Sequence, residues 1–539
     1  MDNGVSRFVP EYRRTTFKNK NAFGADELRR RREEAQVEIR KAKREENLHK
    51  RRNAHRQISN LHDSSDDEEL DEDTESSAPP GVDQMIQSLV AKVMSGNEQD
   101  QLAGATGIRK ILCRETNPPI QQVINTGVVP ELVKFLRSSN SDLQFQAAWA
   151  LTNIASGNSQ QTAVVIEAGA VPFFVDLLHS TKDEVLEQAI WALGNIAGDS
   201  TGCRDFVLSQ NVLPLLLQAI ERSSKNDLIR NATWTISNLC RGRSPHPDWE
   251  IIKNALPTLT KLLYSNDEEV LIDACWAISY LSDGRNEKIQ AVVDSGIVPR
   301  IVDLLTRQNT QLQTPALRSI GNIVTGNDTQ TQEVINAGVL PKLLQLLASP
   351  KDEIRREACW TLSNITAGTP AQRQAVIDAN IVPPLVNLMS TAEFKTRREA
   401  CWAISNATQG NFSKPEQIRY LVSQGCIKPL VDLVQSHDNR IIRVALEGLK
   451  NILAVGEMLK DQSNAAVNEY ALYVEEAGGL DAIYEAQNNA QEDIYQAAYS
   501  ILSKYFNDSN GDEPEDVPET NDEGMYQFNT DQSGANFNY

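Results

Sequence analysis

No uninterrupted apolar run of about 18 residues occurs in this 539-residue chain, so the sequence offers no candidate for a membrane-spanning helix. The first residues are charged where a secretory leader would be apolar, and the chain reads as one without such a leader. Cysteine is scarce: seven residues, at 113, 203, 240, 275, 359, 401 and 426, form no CxxC pair and no Cys/His cluster. Metal and redox chemistry are therefore disfavoured. Cys275, Cys359 and Cys401 each directly precede a tryptophan of the repeat, and they read as small buried side chains in a reducing compartment. The six histidines are scattered, with His49, His55 and His62 in the polar N-terminal segment. There is no glycine-rich phosphate loop, Gly104 and Gly107 near Arg109-Lys110 being too irregularly placed, and no local nucleophile signature among Ser, His and Asp. The expectation is a protein that is not an enzyme, with no catalytic residue, no metal site and no cofactor.

What the chain does contain is a pair that returns at a fixed interval. Trp149/Asn153, Trp191/Asn195, Trp234/Asn238, Trp360/Asn364 and Trp402/Asn406 keep one register, which Trp276/Tyr280 and Arg318/Asn322 continue in altered form. A second ladder runs with the same step: Val129-Pro130, Val171-Pro172, Leu213-Pro214, Leu256-Pro257, Val298-Pro299, Leu340-Pro341 and Val382-Pro383. A period of about 40–47 residues without strand patterning belongs to helical solenoids of armadillo or HEAT type. Each unit reads as short helices broken by Gly, Asn and Pro, then a longer third helix. Gly169 suits a helix end, Pro172 the first turn of the next helix, and the third helix is predicted over Glu184–Ala197. One unit cannot bury its apolar side alone, so neighbours must stack into a continuous core.

Spacing predicts which face carries the tryptophans. In the helix around Ala147–Ala155, Ala148, Leu151 and Ala155 form the stripe expected to be buried. Trp149 and Asn153, at i and i+4, define another stripe, expected to be half polar. A lone helical tryptophan would read as core; five Trp/Asn pairs in phase argue for an open row. Three residues before each position stand Gln146, Gln188, Asn231, Asp273, Glu357 and Glu399, all acids or amides. Packed helices lie about 8–10 Å apart and an extended chain advances about 3.3 Å per residue, so a peptide laid across the stack presents about three residues per repeat. Asparagine amides can bond a peptide backbone whatever its side chains. Rows of indoles would hold lysine methylenes and attract their cationic ends, and carboxylates would select Lys and Arg.

Charge is unevenly spread. The chain has net charge −20, yet residues 1–58 carry 17 Lys or Arg against 9 Asp or Glu, leaving the remainder at −28. Leu28, Ala35, Val37, Ile39, Ala42 and Leu48 give that basic arm a charged helical pattern with no wide apolar face, which would need a partner surface to order it. A solvated tail or a nucleic-acid arm is the other reading. Residues 61–80, and the tail beyond Asn507, have acidic, polar compositions typical of disorder.

The Trp/Asn array, the arm with Arg29-Arg30-Arg31-Arg32 and Lys50-Arg51-Arg52, and the eccentric Tyr280 and Arg318 together resemble the importin-α (karyopherin-α) family over nearly the whole chain. The resemblance implies an all-α fold, a right-handed superhelical solenoid of about ten armadillo repeats over residues 81–507. The first repeat would lie near Gln101–Cys113 and the last near Gly478–Phe506, both lacking the pair, as capping units do. Residues 1–60 resemble the importin-β-binding domain, with Tyr12 to Lys20 as lead-in and Arg13, Lys18, Arg29, Arg30, Arg31, Arg32, Arg40 and Lys41 as its basic contacts. Residues 61–80 would be linker and 508–539 tail.

The family further implies nuclear import adaptors that bind Lys/Arg-rich localization signals at two sites. The major site would use Trp149, Asn153, Gly157, Thr162, Trp191, Asn195, Asp199, Trp234 and Asn238, with Asp199 receiving the key lysine. The minor site would use Asn322, Thr331, Glu357, Trp360, Asn364, Glu399, Trp402 and Asn406. Lys50-Arg51-Arg52 itself looks like a cargo signal. The segment from residue 53 to 80, as a flexible coil, spans ~29 Å, and tethering at ~1 mM effective concentration would let the arm compete for the groove. Importin-β, cargo and a nuclear export receptor are the implied partners, without direct nucleic-acid contact or membrane insertion. The implied location is cytoplasm and nucleus, with shuttling between them. A general armadillo scaffold resembling β-catenin would explain the repeats alone, and would be expected to carry a more basic groove.

Overall fold

The computed structural model describes residues 82–114, 117–242, 245–410 and 414–506, and every regular element among them is helical. They belong to two compact units, one ending at Ala407 and one beginning at Thr408.

In the first unit the three-helix repeat is plain in Ser159–Glu167, Ala170–Leu177 and Asp183–Asp199. Each boundary has a local cause. Asn158 caps the first helix through a reciprocal box with Gln161, and Gly169, at φ 77° where a side chain would be strained, turns the chain into the second. Prolines of the Val-Pro and Leu-Pro ladder sit at the start of second helices such as Val129–Phe135, Val298–Leu304 and Val382–Thr391, where the missing N–H costs nothing.

The long third helices, numbered here in chain order, are α1 (Glu98–Leu112), α2 (Ser141–Ala155), α3 (Asp183–Asp199), α4 (Asn226–Cys240), α5 (Glu268–Leu281), α6 (Thr310–Ile323), α7 (Asp352–Thr366) and α8 (Phe394–Ala407). Each packs on the next. The expected third helix over Glu184–Ala197 is therefore present, one residue longer at its start and two at its end. At the head of the stack Gly104 and Gly107 lie inside α1, where a Cβ would strike Leu89 and Val93 of the helix Val82–Val93. They are packing residues.

A third helix has third helices on both sides and its own second helix behind it. In α2, Leu143, Leu151 and Ile154 are almost wholly buried, each worth about 1.5–3 kcal/mol of apolar burial. So are Ala148 and Ala155, as expected. All of Ala147 to Ala155 is buried, however, Trp149 included. A helix enclosed on three sides has little surface left for a half-polar stripe.

The second unit repeats the plan with α9 (Asn439–Ser463) and α10 (Glu492–Tyr505), and with the shorter helices Pro415–Ser423, Ile427–Val434, Glu469–Glu476 and Gly479–Ala486. All seven cysteines of the chain are unbridged, and Cys275, Cys359 and Cys401 are completely buried, as their positions imply. Burial pushes the Cys275 thiol up to about 12, so it stays protonated.

Candidate functional site

The stack places the asparagines in one register. Asn153, Asn195 and Asn238 occur on the successive helices α2, α3 and α4; Asn322, Asn364 and Asn406 on α6, α7 and α8. All six are buried. Their amides also tie repeat to repeat. Nδ2 of Asn153 donates to Leu112 O (3.4 Å), Asn195 to Thr152 O (3.1 Å), Asn238 to Gly194 O (3.0 Å), Asn322 to Ser279 O (2.7 Å) and Asn406 to Ser363 O (2.9 Å). Each bond satisfies a carbonyl near the end of the preceding third helix, worth about 0.5–1.5 kcal/mol net. Two of these amides donate a second time within the stack, Asn153 to Cys113 Sγ (3.3 Å) and Asn322 to Ser282 Oγ (3.3 Å). Asn364 differs, its Nδ2 buried without a hydrogen-bond partner.

The tryptophans do not form a uniformly open row. Trp191, Trp276 and Trp402 are partly exposed, whereas Trp149, Trp234 and Trp360 are buried, at 4, 0 and 3% exposure. The cause lies one repeat earlier. The residue before the asparagine is Thr152, Ser237 or Ser363 where the following indole is partly exposed, and Gly194 or Gly321 where it is buried. A Cβ on either glycine would collide with the six-membered ring of Trp234 or Trp360. Trp149 is covered differently: the Arg109 guanidinium stacks over its ring at 4.5 Å, held by a bond from Nε to Gln146 Oε1 (2.6 Å), while Phe145 packs edge-on at 5.5 Å.

The acids are unequal too. Glu357, 2% exposed, already accepts from Arg318 Nη2 at 2.9 Å, so the residue that replaces Trp in its repeat offsets this charge within the fold. Asn231 donates to Glu187 Oε1 (2.8 Å). Glu399 is as buried as Glu357, with Arg398 at 3.7 Å as its ion-pair partner and Oε2 lacking a hydrogen bond. Burial pushes its carboxyl up to about 7. Both carboxylates are thus buried, Glu357 against Arg318 of α6 and Glu399 beside Arg398 of its own helix. Asp199 is the partly exposed acid of the set, at the last residue of α3. Ser159 Oγ of the preceding repeat donates to Oδ1 (2.9 Å), and Cys203 Sγ lies 3.7 Å from Oδ2.

Thr162 and Thr331 are buried, their hydroxyls donating to carbonyls at the ends of the preceding helices, Ala155 O at 3.0 Å and Val324 O at 3.4 Å; Thr331 also donates to Asn327 O, the N-cap of its own helix, at 3.1 Å. Gly157 lies just beyond α2. Trp276 and Tyr280 stack at 5.8 Å where the ladder changes register partners. The residues Lys50, Arg51 and Arg52, and the arm positions Arg13, Lys18, Arg29, Arg30, Arg31, Arg32, Arg40 and Lys41, lie outside the described residues. Sequence reasoning missed Ser159, Cys203, Arg109, Gly194 and Gly321. Aligning the repeats by their asparagines would have exposed the two glycines as departures from Ser and Thr. Among the described residues no group of His, Cys, Asp and Glu could hold a metal, and no helix is long and apolar enough to cross a membrane.

Comparison with known proteins agrees with this architecture. The Armadillo/beta-catenin-like repeat family matches eight successive spans from residue 116 to 454, an atypical Arm repeat matches 468–519, and the importin beta binding domain matches 13–106. An engineered protein of known crystal structure superposes with TM-score 0.70 at 29% identity, over 78% of this chain and 98% of that one. The fold and its register thus define an armadillo-repeat protein with an appended importin-β-binding segment. Among curated relatives, importin subunit alpha of Saccharomyces cerevisiae is 61% identical over 96% of this chain and 96% of its own length. Importin subunit alpha-1 of Schizosaccharomyces pombe is 54% identical over 98 and 96%. The chain belongs to the importin-α family, and it is a nuclear import adaptor, not an enzyme.

Proposed function

We propose that the Trp/Asn face binds Lys/Arg-rich localization signals of cargo as extended peptides, and that the basic N-terminal arm links the cargo to importin-β. The observation that carries this reading is Asp199, a partly exposed carboxylate held by Ser159 at the end of the helix that bears Asn195. The major site comprises Trp149, Asn153, Gly157, Thr162, Trp191, Asn195, Asp199, Trp234 and Asn238. Its indoles sit at alternating depth, so partly exposed Trp191 is the principal shelf for lysine methylenes, and the buried rings shape the wall behind it. The minor site comprises Asn322, Thr331, Glu357, Trp360, Asn364, Glu399, Trp402 and Asn406. There Asn364 Nδ2 and Glu399 Oε2 are polar atoms without a hydrogen bond, which supports a ligand of peptide character.

Without importin-β, Lys50-Arg51-Arg52 competes for the same groove; importin-β withdraws the arm and frees it. The protein works in cytoplasm and nucleus and returns with an export receptor. Titration of the full chain with a labelled lysine-rich peptide, with and without importin-β, tests the whole scheme. Tighter binding in its presence is expected; preference for an acidic peptide would favour a general armadillo scaffold instead.

A further inference from the structure

Counting four residues on from each asparagine, or from Tyr280, gives Gly157, Asp199, Gly242, Gly284, Gly326, Gly368 and Gly410. Asp199 is the one side chain in the series. The glycines have two different causes. Gly242, Gly284 and Gly410 have φ of 116°, 148° and 64°, a region that strains any residue with a Cβ. Gly157, Gly326 and Gly368 do not have positive φ. There a Cβ would collide with the side-chain oxygen of Gln161, Gln330 or Gln372. Those oxygens are fixed, because each accepts from the N-cap backbone N–H of its helix: Asn158 N at 3.1 Å, Asn327 N at 2.9 Å and Thr369 N at 3.0 Å.

The residue at the glutamine's position in the third-helix repeat of Asp199 is Cys203. Its helix, Thr201–Ser209, is capped by Ser200 alone, whose Oγ accepts from Cys203 N at 3.1 Å. The short thiol cannot reach back to the N-cap, and it lies beside the Asp199 carboxylate, with Sγ 3.7 Å from Oδ2. Helix α3 runs on to Asp199, while α2 stops two residues past its asparagine.

We infer that Cys203 is a positioning residue for the major peptide site: by breaking the capping box it admits an acid at position 199 and leaves its carboxylate turned toward Ser159. The assignment rests on the reading of Asp199 as the acid that receives a cargo lysine. It adds the reason why only this repeat supplies one.

The test uses the full chain with importin-β present, a labelled peptide bearing a single lysine/arginine run, and three variants. Asp199→Asn must weaken binding at least ~10-fold, the loss of one charged hydrogen bond; an unchanged affinity would overturn the Asp199 reading itself. Given that loss, Cys203→Gln is expected to weaken the peptide by a comparable factor, while Cys203→Ser stays within about threefold of the parent, with melting midpoints unlowered in both. Parental affinity in Cys203→Gln would overturn the proposal and leave the Asp199 reading standing. A thermal measurement checks the steric coupling without any peptide. Gly157→Asp should lower the melting midpoint, and adding Gln161→Cys to it should restore part of the loss. A double variant no more stable than Gly157→Asp alone would refute the coupling.

Discussion

Gly194 of one repeat is the seat of Trp234 in the next: a Cβ built on Gly194 would stand 2.5 Å from Cζ3 of that indole. The same relation joins Gly321 to Trp360. Two glycines inside third helices thus set how far the neighbouring ring sinks, even though glycine costs such a helix about 0.5–1 kcal/mol relative to alanine.

Gly194→Ser should therefore destabilise the protein despite its better helix propensity. Pushing the ring out of a filled site costs about 1–3 kcal/mol, more than the propensity gain. Calorimetry should show a lowered melting midpoint, and the tryptophan emission should move to longer wavelength as Trp234 meets solvent. If both stay at parental values, the ring is not wedged as described.

On the proposed reading, in which Asp199 receives a lysine ammonium, Asp199→Lys sets a like charge there. Loss of a charged hydrogen bond alone is worth about 1.5–3 kcal/mol, and repulsion adds to it. Fluorescence anisotropy with a single-cluster lysine peptide should report an affinity lowered by more than ~10-fold. Retained affinity would remove Asp199 from the site. A cargo with two basic clusters should lose less if its second cluster uses α7 and α8, as proposed.

The period, the helix content and the buried cysteines were legible because each depends on residues close in sequence. Third helices, glycine turns and Val-Pro starts all follow from local pattern. The depth of each indole was not legible in the same way, because it is set by a residue about 40 positions earlier, as Gly194 sets Trp234. The state of Glu357 is hidden for a similar reason: its partner Arg318 belongs to the preceding repeat, where the sequence shows it only as an altered member of the Trp register, and the structure makes it the counter-ion. The asparagine amides, read as clamps for a peptide backbone, first clamp the backbone of the preceding helix.

Removal of residues 1–60 should raise affinity for cargo peptide when importin-β is absent. A tethered competitor at ~1 mM reduces apparent affinity by the ratio of that concentration to its own dissociation constant, so even a weak arm matters. Isothermal titration of the truncated and full chains, each with and without importin-β, separates the effects. The truncated chain should ignore importin-β. Equal affinities for both chains in its absence would rule out competition by Lys50-Arg51-Arg52.

Glu399 would give the proposed minor site a dependence on pH whose sign can be worked out. Its carboxyl, normally near 4.5, is raised to about 7 in the folded protein, chiefly by burial; Arg398 and Arg356 oppose the shift and Glu357 adds to it. Between those values the folded state holds a proton that the unfolded state has released, so this group's contribution to stability falls as pH rises from about 4.5 to 7 and stays low above. The full swing is about 3 kcal/mol at 1.36 kcal/mol per pK unit. Glu399→Gln, neutral at every pH, should therefore gain stability relative to the parent between pH 5 and pH 8, read as the difference of their melting midpoints. Binding runs the other way. A cationic peptide favours the ionised carboxylate, so affinity of a cargo that uses the second site should rise between pH 6 and pH 8 in the parent, and that rise should be smaller in Glu399→Gln. Parallel pH profiles for the two proteins, in both stability and binding, would mean that Glu399 does not titrate in this range.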